Sequence, residues 1–232
     1  FSITKQSKQG LPLPGDYYLV SDSEETLKER MVNDDSFVRA YCKNNPHTGK
    51  SISTKLWVGD YHSEDEFVKL AEKSKGIKRI AVLRADVDNL GHAFVSGFPD
   101  KYMTLSRTAT LSRQLSLFFK YHIKSILEKG SYYIDHEEGH PRHAAIVYSG
   151  GDDLFIVGAW NDVIELAVDI KDSLKAYTEN TLTISGGIGL YTSTYPISVI
   201  ADEVAEMEDK SKGHEGKNSI TLFEDGKDHK RR

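Results

Sequence analysis

With 232 residues, the chain is long enough for one large domain or two small ones, each with a real core. Hydrophobic content of 38% and charged content of 28% fit a globular protein in water, and no stretch approaches the apolar length of a membrane helix. The formal net charge of −5 argues against a surface built mainly for non-specific nucleic-acid binding, although a local basic groove is compatible with it. The single cysteine, Cys42, excludes an internal disulfide and suits a reducing cytoplasm, and no signal peptide is visible. Because the chain opens on Phe1 rather than Met, it is expected to be an excerpt of a longer protein or an engineered piece.

In chain order, residues 1–76 read as an accessory module. Strands are predicted over 1–4, 17–20, 37–41 and 53–58, with a turn-rich loop over 11–16 and a short polar helix over 21–31. Ser63 and Glu66 have the spacing of a capping box opening another helix, which Gly76 ends. From residue 77 to 232 the pattern becomes β-α-β-β-α-β. It comprises a strand over 79–85, a long helix over 100–129 stopped by Gly130, a hairpin over 144–157, and a helix capped by Asn161 or Asp162. A strand over 182–191, a helix begun by Pro196 and a strand over 219–223 complete it, and the charged tail beyond is expected to fray. This order predicts an α+β, ferredoxin-like sheet with helices on one face.

Two acidic motifs stand at strand ends. In Tyr148-Ser149-Gly150-Gly151-Asp152-Asp153-Leu154-Phe155, two glycines free to take positive φ join two buried strands, and the second strand begins with adjacent carboxylates. Such a pair repels itself unless a cation intervenes; Mg²⁺, a hard ion that prefers carboxylate oxygens, suits it. By itself the motif also reads as an ordinary acidic turn. The second motif, Arg84-Ala85-Asp86-Val87-Asp88-Asn89-Leu90-Gly91, ends another buried strand. The predicted topology brings Asp86 beside Asp152 and Asp153, as a two-metal phosphoryl-transfer site requires. Asp88 either points away or caps the turn, and the amides of Asn89, Leu90 and Gly91 are placed to cradle phosphates.

Together these motifs resemble the palm domain shared by nucleotidyl cyclases, diguanylate cyclases and many polymerases. The branch they are most similar to is the second palm of the large polymerase-cyclase subunit of type III (subtype A-like) CRISPR interference complexes. Leu56-Trp57-Val58-Gly59-Asp60-Tyr61, Lys210-Ser211-Lys212 and Gly216-Lys217-Asn218-Ser219-Ile220-Thr221-Leu222-Phe223 share that likeness, so it covers most of the chain. The resemblance implies Mg²⁺ (or Mn²⁺) on Asp86, Asp152, Asp153 and the Val87 carbonyl. It implies a nucleotide held by Asp88, Asn89, Leu90, Gly91, Gly150, Gly151 and Lys212. It also implies conversion of ATP to cyclic oligoadenylates, with a second palm, other subunits of the ribonucleoprotein, crRNA and target RNA as partners, and no membrane. The family's nuclease domain, with its His-Asp pair, is not among these residues.

Other readings carry less. A diguanylate cyclase would have Glu and Phe where Asp153 and Leu154 stand, and a non-catalytic scaffold palm would be expected to lose its acidic residues. Lys212 also reads as a solvated lysine favoured by a helix C-terminus. His136-Glu137-Glu138-Gly139-His140 matches the zinc-protease pattern, but Gly139 and Pro141 interrupt the helix that this chemistry needs. Gly49-Lys50-Ser51 lacks the leading glycine of a P-loop, and Gly186-Gly187-Ile188-Gly189 lacks dinucleotide-fold spacing; the latter suits a sheet bend or a close neighbour.

Overall fold

In the computed structural model of the protein, residues 1–5, 10–134 and 140–223 are described. The chain forms two compact units, Phe1–Val58 and Gly59–Arg232. The first holds β1 (Ser2–Lys5), β2 (Leu11–Leu13), β3 (Tyr17–Val20), α1 (Glu24–Asn33), β4 (Phe37–Lys43) and β5 (Thr54–Leu56). Its sheet runs β2-β3-β1-β4-β5. Ser23 caps α1 by accepting from the Thr26 amide, and Leu27 and Met31, one turn apart, pack on Ala40 and Cys42. Part of the predicted 11–16 loop is a strand: β2 tolerates Pro12 because it lies at the sheet edge, where a missing N–H goes unused.

The second unit contains α2 (Phe67–Glu72), β6 (Ile80–Val87), α3 (Leu90–Ser96), α4 (Leu105–Leu117), α5 (Ile123–Glu128), β7 (Ala144–Gly150) and β8 (Asp153–Ala159). It continues with α6 (Trp160–Tyr177), β9 (Ile184–Tyr191), α7 (Ile197–Gly213) and β10 (Ile220–Leu222). The sheet order is β10-β9-β6-β8-β7. The four strands β9-β6-β8-β7 reproduce the ferredoxin-like arrangement, with β10 added parallel to β9. Strand β6 is antiparallel to both neighbours and buried on both faces. One face, with Leu83 and Ala85, packs on Leu115, Phe119, Ile123 and the Val163–Leu166–Ile170 stripe of α6. The other, with Ile80 and Val82, packs on Leu70, Ile200 and Val204. Helices therefore cover both faces, not one: α7 carries its own apolar stripe to the second.

Several local expectations are corrected. The long helix begins at Leu105, where Thr104 accepts from the Arg107 amide, and passes through a π-helical stretch, Phe118–His122, before α5. Helix α3 has no buried residue, so there was no stripe to read. The capping box does not form: Glu66 holds the N-cap position without a side-chain bond, and the Ser63 amide donates to Ala144 O. The same pull draws Tyr61 onto β7, whose Ile146 amide donates to Tyr61 O, so residues 59–76 belong with the second unit's contacts. Helix α6 starts earlier than expected, at Trp160 with Ala159 as the cap; Asn161 and Asp162 instead accept from the amides of Lys75 and His143. The motif residues 136–139 and the tail 224–232 lie outside the described residues.

The glycine cluster in β9 is explained by approach. A Cβ on Gly187 would lie 2.5 Å from Met207 Cβ and 2.8 Å from Val204 O, so α7 rests directly on the strand. Gly187→Ala is expected to lower stability by about 1–3 kcal/mol in urea titration. Gly213→Ala, with no atom within 4 Å of the added carbon, is expected to change it by less than about 0.5 kcal/mol.

Candidate active site

Strand β6 ends at the acidic edge. Its side chains alternate, so Asp86 shares a face with Val82 and Arg84, the face that α7 covers. Register pairs Asp86 with Asp153 on β8 and with Ser185 on β9. The turn between β7 and β8 is closed by Gly151, at φ 65°, while Gly150 keeps an ordinary φ; of the pair, Gly151 alone needs its freedom. The Val87 amide donates to Asp152 O at 3.1 Å, which fastens that turn to the end of β6. Ser149 Oγ anchors the same strand by donating to Phe119 O at 2.5 Å.

The electrostatics are those of crowded carboxylates. Burial, then the charges of Asp86 and Asp153, hold the Asp152 carboxyl above its ordinary range, against a smaller opposing pull from Lys212. The Tyr148 phenol is likewise pushed up, first by its hydrogen bond to Asp153 and then by that residue's charge. Lys212 reaches over from α7: Nζ donates to Asp86 Oδ2 at 2.5 Å and lies 2.6 Å from Glu208 Oε1. Burial alone would lower its pKa, but the bonds to Asp86 and Glu208 outweigh this and hold it above the ordinary lysine value. Glu208 is also met by Arg84 Nε at 2.8 Å. Glu208 and Arg84 were not singled out from the sequence, although the i,i+4 spacing of Glu208 and Lys212 on one helix face was there to be read.

The remaining predicted residues stand close by in different roles. Asp88 is buried and turned inward; its Oδ2 accepts from Thr183 Oγ1, Ser185 Oγ and the Asn218 amide, and Oδ1 has no protein partner. It therefore ties the entry to β9 to the loop before β10. Asn89 sits in the left-handed region at φ 54°, opens α3, and accepts from Lys217 Nζ at 2.8 Å. Leu90 and Gly91 form the first turn of α3, and nothing lies within 4 Å of a Cβ added to Gly91. Beside them opens a cleft of about 530 Å³, lined by Asp88, Asn89, His92, Phe98, Leu111 and Thr183 among others.

These donors suit a hard divalent cation. Asp86, Asp152, Asp153 and Glu208 are four carboxylates, while Lys212 and Arg84 are the two cations bonded into their network. The oxygens of Asp86, Asp152 and Asp153 are not all within 4.8 Å of one another among the described residues, so the trio is more open than a closed metal cage. That openness fits an ion such as Mg²⁺, which keeps waters and substrate oxygens in its shell.

Comparison with known proteins gives this geometry a setting. Residues 79–221 match the family described as Cas10/Cmr2, second palm domain. The chain is 42% identical over 232 aligned residues to the "CRISPR system single-strand-specific deoxyribonuclease Cas10/Csm1 (subtype III-A)" of Mycobacterium tuberculosis, covering 96% of this chain and 28% of that protein. Among solved structures, a Csm1-Csm4 cassette in complex with pppApApA superposes with a TM-score of 0.71 at 32% identity, over 83% of this chain and 29% of that one. A Csm1-Csm4 cassette in complex with cA4 gives 0.70 at 32% identity, over 82% and 29%. The chain thus spans less than a third of the length of these relatives. No helix among its described residues is long and apolar enough to cross a membrane.

The raised Asp152 carboxyl makes a stability prediction. A folded-state pKa above the unfolded value means that the fold disfavours the ionised form. The cost is absent below the unfolded value of about 3.9, grows as pH rises through the folded pKa, and is full above it. Asp152→Asn is therefore expected to raise the melting temperature at pH 7 in chelator by roughly 1–4 °C, with the gain vanishing near pH 4. An equal effect at both pH values would show that Asp152 does not carry this strain.

Proposed function

Because the chain belongs to the family described as Cas10/Cmr2, second palm domain, we propose that its acidic edge is a nucleotidyl-transfer site. There, a ribose hydroxyl attacks the α-phosphorus of ATP, pyrophosphate leaves, and cyclic oligoadenylates are the end product. The observation that carries this reading is the Asp86–Asp153 register pair with Asp152 on the adjoining turn, three carboxylates whose mutual repulsion calls for a cation. The relatives bound to pppApApA and cA4 support an adenine substrate over the guanine of a diguanylate cyclase.

In this mechanism Asp86, Asp152 and Asp153, with the Val87 carbonyl, would hold Mg²⁺, or Mn²⁺ in its place. The ion, when bound, supplies ionisation of the attacking hydroxyl and screening of the triphosphate charge. Lys212, its ammonium secured by Asp86 and Glu208, offers a fixed positive charge to the triphosphate. The first amides of α3, at Leu90 and Gly91, lack partners within the helix and donate to phosphate oxygens. Gly150 and Gly151 bring the hairpin turn beside the phosphates without side chains of their own. The cleft between Asn89, His92, Phe98 and Leu111 takes ribose and base. Asp88 positions this wall by holding β9 and the 214–219 loop together.

Oligomer formation needs two nucleotides at once, one offering its α-phosphorus and the other a hydroxyl. One acidic edge is present among the described residues, and we assign the second half of the site to a partner palm within the CRISPR ribonucleoprotein. The guide and target RNAs bound by that assembly act through it. We place the assembly in the cytoplasm.

Three measurements test this reading. Asp152→Ala combined with Asp153→Ala is expected to reduce Mg²⁺-dependent product, resolved by mass, by at least about a thousandfold while the circular dichroism is unchanged; undiminished turnover would refute the assignment. Calorimetry with Mg²⁺ is expected to show ATP binding in preference to GTP. Product formed per chain should rise by orders of magnitude when the partner palm or whole assembly is added. Fast turnover by the chain alone, unchanged on dilution, would refute the need for a partner.

A further inference from the structure

At the end of the β7–β8 hairpin remote from the acidic turn, two imidazoles and a buried carboxylate converge. His140 and His143 precede β7, and Asp162 lies in the first turn of α6. Each offers one ligand atom within 4.8 Å of the other two, and they are the one such group among the described residues. The seven-residue strands put this cluster about 20 Å from Asp152 and Asp153. We propose that His140, His143 and Asp162 bind a divalent transition ion of the zinc class, a structural clip with its fourth position open to solvent.

The donor set selects the ion. Imidazole nitrogen with carboxylate oxygen suits zinc, cobalt or nickel, whereas magnesium prefers oxygen alone. A tetrahedral ion with bonds of about 2.1 Å holds neighbouring ligands about 3.4 Å apart. His143 Nδ1 already lies 3.0 Å from Asp162 Oδ2, so that edge needs to open by only a few tenths of an ångström. The ring proton now shared there moves through solvent to Nε2, leaving a neutral imidazole with its Nδ1 lone pair free, and no net proton is released. His140 is oriented as a ligand would be: its Nδ1 lies 3.1 Å from Pro141 O, and since a carbonyl only accepts, Nδ1 carries the proton and Nε2 keeps its lone pair. The rings of His140 and His143 are 5.7 Å apart between centroids and tilted by 32°.

The backbone carrying these ligands is fixed beforehand. Between the two histidines, Arg142 is wholly buried and bonded to Glu165 and to Asp169, the latter at 2.8 Å, both on the helix that carries Asp162. The Ala159 amide donates to His143 O at 2.8 Å, and the His143 amide donates to Asp162 Oδ2 at 2.6 Å. Asp162 Oδ1 accepts from the Asn161 amide group at 2.7 Å, which leaves that carboxylate one orientation. Little conformational freedom remains to be lost on binding, the condition under which three protein ligands suffice.

The test uses the full chain, stripped with chelator and titrated with Zn²⁺ by calorimetry in excess Mg²⁺. An Asp152→Asn, Asp153→Asn background silences the acidic edge. One Zn²⁺ per chain with micromolar affinity and a melting temperature raised by several degrees is expected. Co²⁺ should give the intense visible absorption of a four-coordinate site. His140→Ala and His143→Ala should each weaken binding at least tenfold and abolish the cobalt spectrum. If His143→Ala fails to fold, His140→Gln, at the less embedded ligand, decides. Absence of binding, or binding and cobalt absorption that persist in the His140 variants, would overturn the proposal.

Discussion

The second unit depends on one constraint: β6 is paired on both edges and buried on both faces. Eight consecutive residues satisfy their backbone groups in two ladders while their side chains feed two separate cores. Side chains alternate with a period of two, so a slip of one residue would drive Asp86 and Arg84 into the Leu83–Ala85 core and expose that core in turn. Burying one carboxylate without a partner costs several kcal/mol, and losing the apolar face costs more. The register that keeps the core apolar is thus the register that places Asp86 opposite Asp153. The placement of the acidic edge is a consequence of packing some distance away.

Two buried polar networks then fix what the sheet leaves free. Near the acidic end, Asp88 gathers two hydroxyls and an amide from β9 and the 214–219 loop, so the wall of the cleft is held by one carboxylate oxygen. At the opposite end, Arg142 lies between Glu165 and Asp169, while Asp169 Oδ1 also accepts from the amides of Ser131 and Tyr132. Ion pairs taken out of water stabilise a fold little in net terms, because desolvation offsets most of the attraction. Breaking one is costly, so they discriminate strongly against alternative paths of the chain. Between α5 and β7, the described residues 129–134 and 140–143 are anchored by those contacts.

Strands with β-branched runs and helices with apolar stripes were legible in the sequence, because a repeating period records which face meets the core. The β-α-β-β-α-β order, and with it the convergence of two acidic strand ends, followed from those periods. What was not legible lacked a period. Helix α3 buries nothing and leaves no stripe, and β2 contains a proline that sequence logic assigns to a turn. The Ser63–Glu66 capping box had the right letters, but the Ser63 amide donates to Ala144 O on β7, a tertiary contact that local spacing does not encode. The π-helical stretch at Phe118–His122 keeps Phe118 and Phe119 both buried, which a regular helix period would not anticipate. At the site, Glu208 escaped notice because a glutamate on a polar-looking helix reads as solvated until the helix is known to lie on the sheet.

That last point links the glycine run to the charge network. Gly187 lets α7 approach until Met207 Cβ and the Glu208 amide occupy the space that a side chain on β9 would fill. Glu208 and Lys212 follow on the same helix, so their reach to Arg84 and Asp86 is set by how close the axis of α7 comes to the sheet. Lysine and arginine chains are long and adapt, but a salt bridge at 2.5–2.8 Å leaves no slack if the backbone is moved outward by a methyl group's width. Gly187 thus contributes to the site by what it lacks: it sets the distance at which a cation on one element meets a carboxylate on another. The balance of charge at the acidic edge is decided in the core beneath it.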